Sequence, residues 1–244
     1  MARYPALLWL LAFPGPVLAA IPGIDPHPLP ARGPDPGLAL PLAALDGPDA
    51  LHLPVTIDVK MPDGSIVALD LEDYLKGVLP KEIGTSFPVE AIKAQAVAAR
   101  SYAVWYAWSK GYICTTTTCQ VWSEQHYAAT DAAVEATRGQ VLAWQGKVVP
   151  FFFSASCGGH TVSNAEVWSG EPLPWLTPAP CIENKTGACV VVCTPDQPKS
   201  STCWGVFGHR VGLCQRGAQA MAACGSSHIE IVLHYAGGGT LIGP

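Results

Sequence analysis

The sequence predicts an α/β chain of mixed α+β type: a helix pair packed on a mixed sheet with hairpins and disulfide-stapled loops. Three observations carry this reading. Residues 70–110 hold two successive helical patterns, DLEDYLKGVLPKE and PVEAIKAQAVAARSYAVWYAWSK. Alternating apolar residues flank turn signals at Pro62–Asp63–Gly64 and Gln145–Gly146, the mark of hairpins. Nine cysteines, most of them in the second half, lie in a stretch with little regular period.

In the first helix Leu71, Tyr74, Leu75, Val78 and Leu79 recur at steps of three and four and share one apolar face. Asp70 suits the N-cap, with Asp73 in the first turn to meet the free amides. Pro80 has no donor and clashes with the preceding turn, so the helix is expected to stop there. The second helix opens with Pro88 and Glu90 and ends at Gly111, a favoured C′ residue. Its expected packing face is Val89, Ile92, Ala96, Ala99 and Ala103, narrow enough for close approach. Glu82 falls in the connection, pinned between two stiff elements. A charge in such a connection is ordinarily solvated; a catalytic acid is also held this way.

The remaining elements follow the same rules. Val55, Ile57 and Val59 alternate before the first turn, and Ile66–Leu69 return from it. Residues 128–138 suit a short helix. Gln140–Trp144 and Lys147–Phe153 make a second hairpin, whose end delivers Ser154 to His160. Pro172–Cys203 shows no period and reads as a disulfide-held loop. A helix over Gln215–Ala223 stops at Gly225. Ser227 to Glu230 is a capping box that opens a last helix through Tyr235.

Of the 244 residues, the first twenty resemble a secretory leader: Arg3 is followed by apolar Leu7–Phe13 and by small residues at Val17–Ala19. An uncleaved anchor is the competing reading, but the run is short and interrupted by Pro14 and Pro16. Residues 21–50 are rich in Pro, Gly and Ala and read as a linker. Residues 51–244 then form one domain of roughly 190 residues, enough for a sizeable core. A net charge of −5 without clustered Lys and Arg argues against nucleic acid as partner. In an exported chain nine cysteines point to disulfides, and the odd number leaves at least one unpaired. Cys114 and Cys119, four residues apart, suit a short disulfide loop or half a metal site. Cys157 near His160 suggests a thiol nucleophile, yet that chemistry needs a thiolate in a chain whose cysteines are expected to be oxidised.

The run Leu71–Tyr74–Leu75–Gly77–Val78, Glu82, then Phe87–Pro88–Glu90 through Arg100, Tyr102 and Ala103 resembles the SpoIID/LytB family. That family comprises the stage II sporulation protein D type of peptidoglycan lytic transglycosylase and related amidase enhancers. Ser154–Cys157–Gly158–Gly159–His160–Thr161, Val167–Trp168, Gly208–His209 to Gln215 with Gly217–Ala218, and His234–Tyr235 match later blocks in the same order. The resemblance implies an exported protein of the periplasm, cell envelope or exterior that acts on peptidoglycan glycan strands, with a cell-wall amidase as a further candidate partner. It implies Glu82 as acid/base, with Arg100, Ser154, Ser156, His160, His209 and Gln215 as candidates for holding sugar or supporting the site. His209 on its own reads equally well as a satisfied core histidine.

Two departures from the family pattern stand out. Some members hold zinc near Cys114 and Cys119 with a histidine beside the second cysteine; here Thr118 occupies that place and His126 lies farther on. A disulfide is therefore the expectation, with no cofactor. The family also has glycine where Arg210 stands and often an aromatic where Arg216 stands.

Hydrolysing glycosidases commonly use two carboxylates. No partner for Glu82 is evident, since Glu72, Asp73 and Glu90 read as helix-end charges. A lone acid suits a lytic transglycosylase, in which a substrate hydroxyl attacks and leaves a 1,6-anhydro-N-acetylmuramoyl end. The competing class is a non-catalytic wall-binding enhancer of an N-acetylmuramoyl-L-alanine amidase. As acid, Glu82 needs a raised pKa. The dipole of the second helix opposes this, so Ile83, Phe87 and Tyr102 must outweigh it.

Overall fold

The computed structural model describes residues 47–168, 170–185, 188–193 and 205–243. Residues 1–46, which include the stretch read as a leader and most of that read as a linker, lie outside them. Gly47–Ala50 already belong to the domain: Asp49 bridges Lys147, and Val148 N–H donates to Pro48 O at 2.8 Å.

β1 (Thr56–Lys60) and β2 (Ile66–Asp70) form the first hairpin, closed around Gly64 at φ 88°. α1 (Leu71–Glu82) follows directly, with the Asp70 carboxylate accepting from the amides of Glu72 and Asp73. The helix does not stop at Pro80. It continues to Glu82, and Ile83 N–H closes on Leu79 O at 3.0 Å. An internal proline costs about 3 kcal/mol. Burying Val78 and Leu79, both fully enclosed, contributes about 2 kcal/mol each and holds the turn together. Pro80 lies on the same half-buried side as Lys76, where the missing amide bond costs least.

α2 (Val89–Lys110) crosses the middle of the domain and ends at Gly111 in the left-handed region, φ 80°. It buries every residue from Ala91 to Tyr106 except Lys93. The expected narrow face is therefore only part of its contact surface, and Val89 stands exposed at its start. The alanines admit neighbours on several sides. α1 packs on it, as do α3 (Ala128–Ala136), α5 (Gln215–Ala223) and α6 (His228–Tyr235). Among the described residues no helix is long and apolar enough to cross a membrane.

β3 (Ile113–Cys114) returns parallel to β1, so β2-β1-β3 is the expected mixed sheet. The Cys114–Cys119 disulfide forms directly after it. β4 (Val141–Trp144) and β5 (Lys147–Val148) turn at Gln145 and Gly146, both with positive φ, as a two-residue hairpin demands. β5 is shorter than expected, and β12 (Thr240–Ile242) covers the other edge of β4. The rest of the sheet structure is fragmentary. β6 (Phe153–Ser154) pairs in parallel with β11 (Leu213–Cys214), and β7 (Ser156–Cys157) runs antiparallel to β10 (Val206–Phe207). α4 (Asn164–Val167) is one capped turn. The supposed loop contains a hairpin, β8 (Cys181–Lys185) with β9 (Ala188–Cys193), consistent with its β-branched Ile182 and Val190–Val192. The α5 bounds and the Ser227–Glu230 capping box of α6 agree with the sequence reading.

Glu72 is no helix-end charge. It is buried, and its carboxylate receives Arg100 Nη2 at 2.6 Å and Nε at 3.1 Å. Arg100, fully enclosed, also donates to Thr137 Oγ1, Gln140 O and Val134 O. All five of its N–H groups are thus used inside the protein, clamping α1, α2 and the end of α3. Breaking one side leaves an unpaired buried charge, so Arg100→Leu is expected to cost about 3–5 kcal/mol in urea unfolding. The double replacement Glu72→Leu with Arg100→Leu should recover most of that loss; a double variant as unstable as the single one would contradict the assignment.

Candidate active site

Glu82 sits in the last turn of α1, half-buried, where four segments meet. Val121 N–H, in the loop beyond the disulfide, donates to its Oε1 at 2.7 Å. Gln215, the first residue of α5, donates from Nε2 to the Glu82 backbone carbonyl at 3.0 Å and to Gln95 Oε1 on α2 at 3.2 Å. No hydrogen bond reaches Oε2 among the described residues.

Burial raises the Glu82 carboxyl to about 7, against the downward pull of the Val121 amide. Burial therefore prevails over the opposing amide, as an acid donor near neutral pH requires. The phenols of Tyr74 and Tyr102 lie close enough for the Glu82 charge to add to the upward push that burial gives each of them. Tyr74 Oη donates to Gln120 Oε1 at 3.2 Å, and Gln120 Nε2 to Ala99 O at 3.1 Å, which fixes the strand of chain that presents Val121. Gly77 permits this approach: a Cβ there would lie 2.3 Å from Trp122 Nε1.

The later candidates divide. Ser154 stands opposite Cys214 in the β6–β11 ladder, one residue from Gln215, so it joins the Glu82 neighbourhood. Its Oγ is buried without a partner among the described residues, as are Gln95 Nε2 and Trp122 Nε1. Ser156 is buried in β7. His209 lies in an aromatic row: its ring is 5.0 Å from Trp168, Trp168 is 4.8 Å from Phe152, and Phe152 is 5.6 Å from Tyr102. Its Nδ1 accepts from Val211 N–H, and burial lowers it to about 4, so it is neutral with its proton on Nε2. His160 contacts Arg210 Nη2 through Nε2 at 2.8 Å. Among the described residues neither histidine nor Ser156 hydrogen-bonds to Glu82. Arg100, fully buried and committed to Glu72, braces the frame. Cys114 and Cys119, the weak metal candidates, are joined to each other.

The family described as stage II sporulation protein, SpoIID, matches residues 63–144. That segment of the chain is similar to the SpoIID family. An uncharacterized protein of Brachyspira hyodysenteriae is 42% identical over 115 residues, covering 44% of this chain and 31% of the relative. The amidase enhancer of Bacillus subtilis is 40% identical over 103 residues, 42% of this chain and 14% of that protein. Stage II sporulation protein D of Bacillus amyloliquefaciens is 28% identical over 151 residues, 53% of this chain and 44% of that protein. The chain thus spans less than half the length of each. The SpoIID match takes in α1, Glu82, α2 and the Val121 loop and ends before Ser154.

Glutamine at 82 keeps the shape of the side chain and removes its ionisation. A carboxyl raised from 4.5 to about 7 contributes its stability in full below pH 4.5 and loses it as pH rises through 7. At 1.36 kcal/mol per pH unit the ceiling is about 3 kcal/mol, reduced in practice by partial solvent access. Glu82→Gln should therefore unfold at higher denaturant than the parent at pH 8.5 and at nearly the same denaturant at pH 4. Equal curves at both pH values would show that Glu82 is not held protonated by its surroundings.

Proposed function

We propose that the protein is an exported peptidoglycan lytic transglycosylase, acting on the bond between N-acetylmuramic acid and N-acetylglucosamine with Glu82 as the single acid/base. The observation that carries the reading is a lone carboxyl raised to about 7, with one oxygen held by a backbone amide and the other without a hydrogen-bond partner among the described residues. No second carboxylate contributes to that rise. Protonated Glu82 gives its proton to the glycosidic oxygen as the C1–O bond breaks. The muramoyl 6-hydroxyl then attacks C1, and its proton returns to the carboxylate. The product is the 1,6-anhydro sugar, and no water is consumed. Gln215 positions Glu82 through its backbone, Ser154 offers an unpartnered hydroxyl nearby, and the Trp168–His209 end of the aromatic row suits stacking on a sugar face.

One observation favours a second reading, that of a wall-binding partner of an amidase: the chain is 40% identical over 103 residues to the amidase enhancer of Bacillus subtilis. That role needs the same surface without proton transfer. Mass spectrometry of muropeptides released from purified peptidoglycan separates the two. Anhydromuropeptides are expected, with the rate falling by about 10²–10⁴ in Glu82→Gln and declining as pH rises above 7 in the parent. If parent and variant both stimulate an added amidase equally and neither releases glycan products, the enzyme reading fails.

A further inference from the structure

Behind the Glu82 neighbourhood three cysteines from three separate segments converge. Cys157 comes from β7, Cys181 opens β8, and Cys214 ends β11 as the N-cap of α5. Their sulfurs all lie within 4.8 Å of one another, and Cys181 Sγ is 3.7 Å from Cys214 Sγ. All three are buried, and Cys181 alone reaches the surface, at 7% exposure. They are unpaired although a disulfide forms elsewhere in the chain.

We infer that Cys157, Cys181 and Cys214 form a site for one thiophilic closed-shell metal ion, with Zn²⁺ the cation that suits it best. Sulfurs bound to one tetrahedral zinc at about 2.3 Å lie about 3.8 Å apart, close to the separation of Cys181 and Cys214. A disulfide instead requires about 2.05 Å. Two backbone amides point at Cys214 Sγ: Cys157 N–H at 3.3 Å and Gly217 N–H at 3.4 Å. Donors of this kind accompany metal-bound thiolates.

Tyr235 Oη, 3.7 Å from Cys181 Sγ, provides a hydroxyl at the rim as a fourth donor or as a hydrogen bond to thiolate. Gly217 makes the space: a Cβ there would lie 2.7 Å from Cys181 Sγ and closer still to the Tyr235 hydroxyl. Charge selects the ion. Three thiolates with Zn²⁺ leave one net negative charge facing the amides of α5, whereas a monovalent ion leaves two in a buried site. Cysteine number agrees, for three metal-bound sulfurs leave six of nine, an even set for disulfides.

The test is metal content of the full chain, reduced, loaded with Zn²⁺ and gel-filtered. One zinc per chain is expected, lost in Cys181→Ser and kept in the double variant Cys114→Ser/Cys119→Ser. Co²⁺ in place of zinc should give the near-ultraviolet charge-transfer band of thiolate ligation. Chelation should lower the melting temperature by roughly 8 °C or more. Should Cys181→Ser not fold, alkylation of the parent decides: zinc should protect Cys157, Cys181 and Cys214 together. No zinc retained by the reduced parent, or zinc undiminished in Cys181→Ser, overturns the site. So does a disulfide joining two of the three with no uptake after reduction.

Discussion

Between Ala91 and Tyr106 helix α2 has almost no face toward water, and Gln95, Arg100 and Ser101 are nonetheless polar and buried there. Each must find its partner inside the protein, because an unpaired buried polar group costs 1–3 kcal/mol and an unpaired charge more. Arg100 is answered by Glu72 and the carbonyls around Thr137–Gln140, which fixes α1 and α3 against α2. Ser101 Oγ donates to Val97 O at 2.6 Å and accepts from Leu142 N–H at 2.8 Å, which sets β4. Gln95 accepts from Gln215, which places the start of α5 beside Glu82. The buried polar groups of one helix thus determine how α1, β4 and α5 are arranged around it.

Glu82 depends on that arrangement in an electrostatic sense. A carboxyl at the end of α1 and close to the start of α2 experiences opposite helix ends, each capable of only a few tenths to about 1 kcal/mol. Removal from water acts with more force, and here it prevails. The Val121 amide tempers the rise and orients one oxygen without cancelling it. The same packing that makes α1 run through Pro80 therefore also produces the acid: were the helix to end at Pro80, Glu82 would sit on a solvated connection.

Local chemistry made much of the fold legible. Asp70, Gly111 and Ser227 mark helix ends because cap geometry depends on a few adjacent residues, and Gln145–Gly146 marks a hairpin for the same reason. What escaped notice depended on distant partners. The reach of α1 past its proline is decided by burial against α2. Glu72 looks like a helix-end acid until Arg100, 28 residues on, is brought against it. Val121 acts through a backbone amide 39 residues from Glu82, and a main-chain donor leaves no mark in residue type. The clustering of Cys157, Cys181 and Cys214 was likewise hidden among nine cysteines, since spacing along the chain does not encode which sulfurs meet.

Arg210 shows how a departure from the family pattern acquires a physical reason. Its φ of 66° is the left-handed conformation that glycine adopts freely, and that accounts for glycine being expected there. An arginine in that conformation costs about 1–2 kcal/mol. Its side chain supplies the offset. Nε donates to Cys157 O at 3.0 Å, while Nη2 reaches His160 O at 3.3 Å and His160 Nε2 at 2.8 Å. Because the guanidinium only donates, Nε2 must accept, so His160 is neutral and carries its proton on Nδ1. Burial and then the Arg210 charge both lower its pKa, in agreement with that tautomer. The strained residue thereby ties the Gly158–Gly159 turn to the segment leading into Gln215. Rigidity that the backbone alone would supply with glycine is supplied here by a side chain, and His160 Nε2 is committed to it as an acceptor.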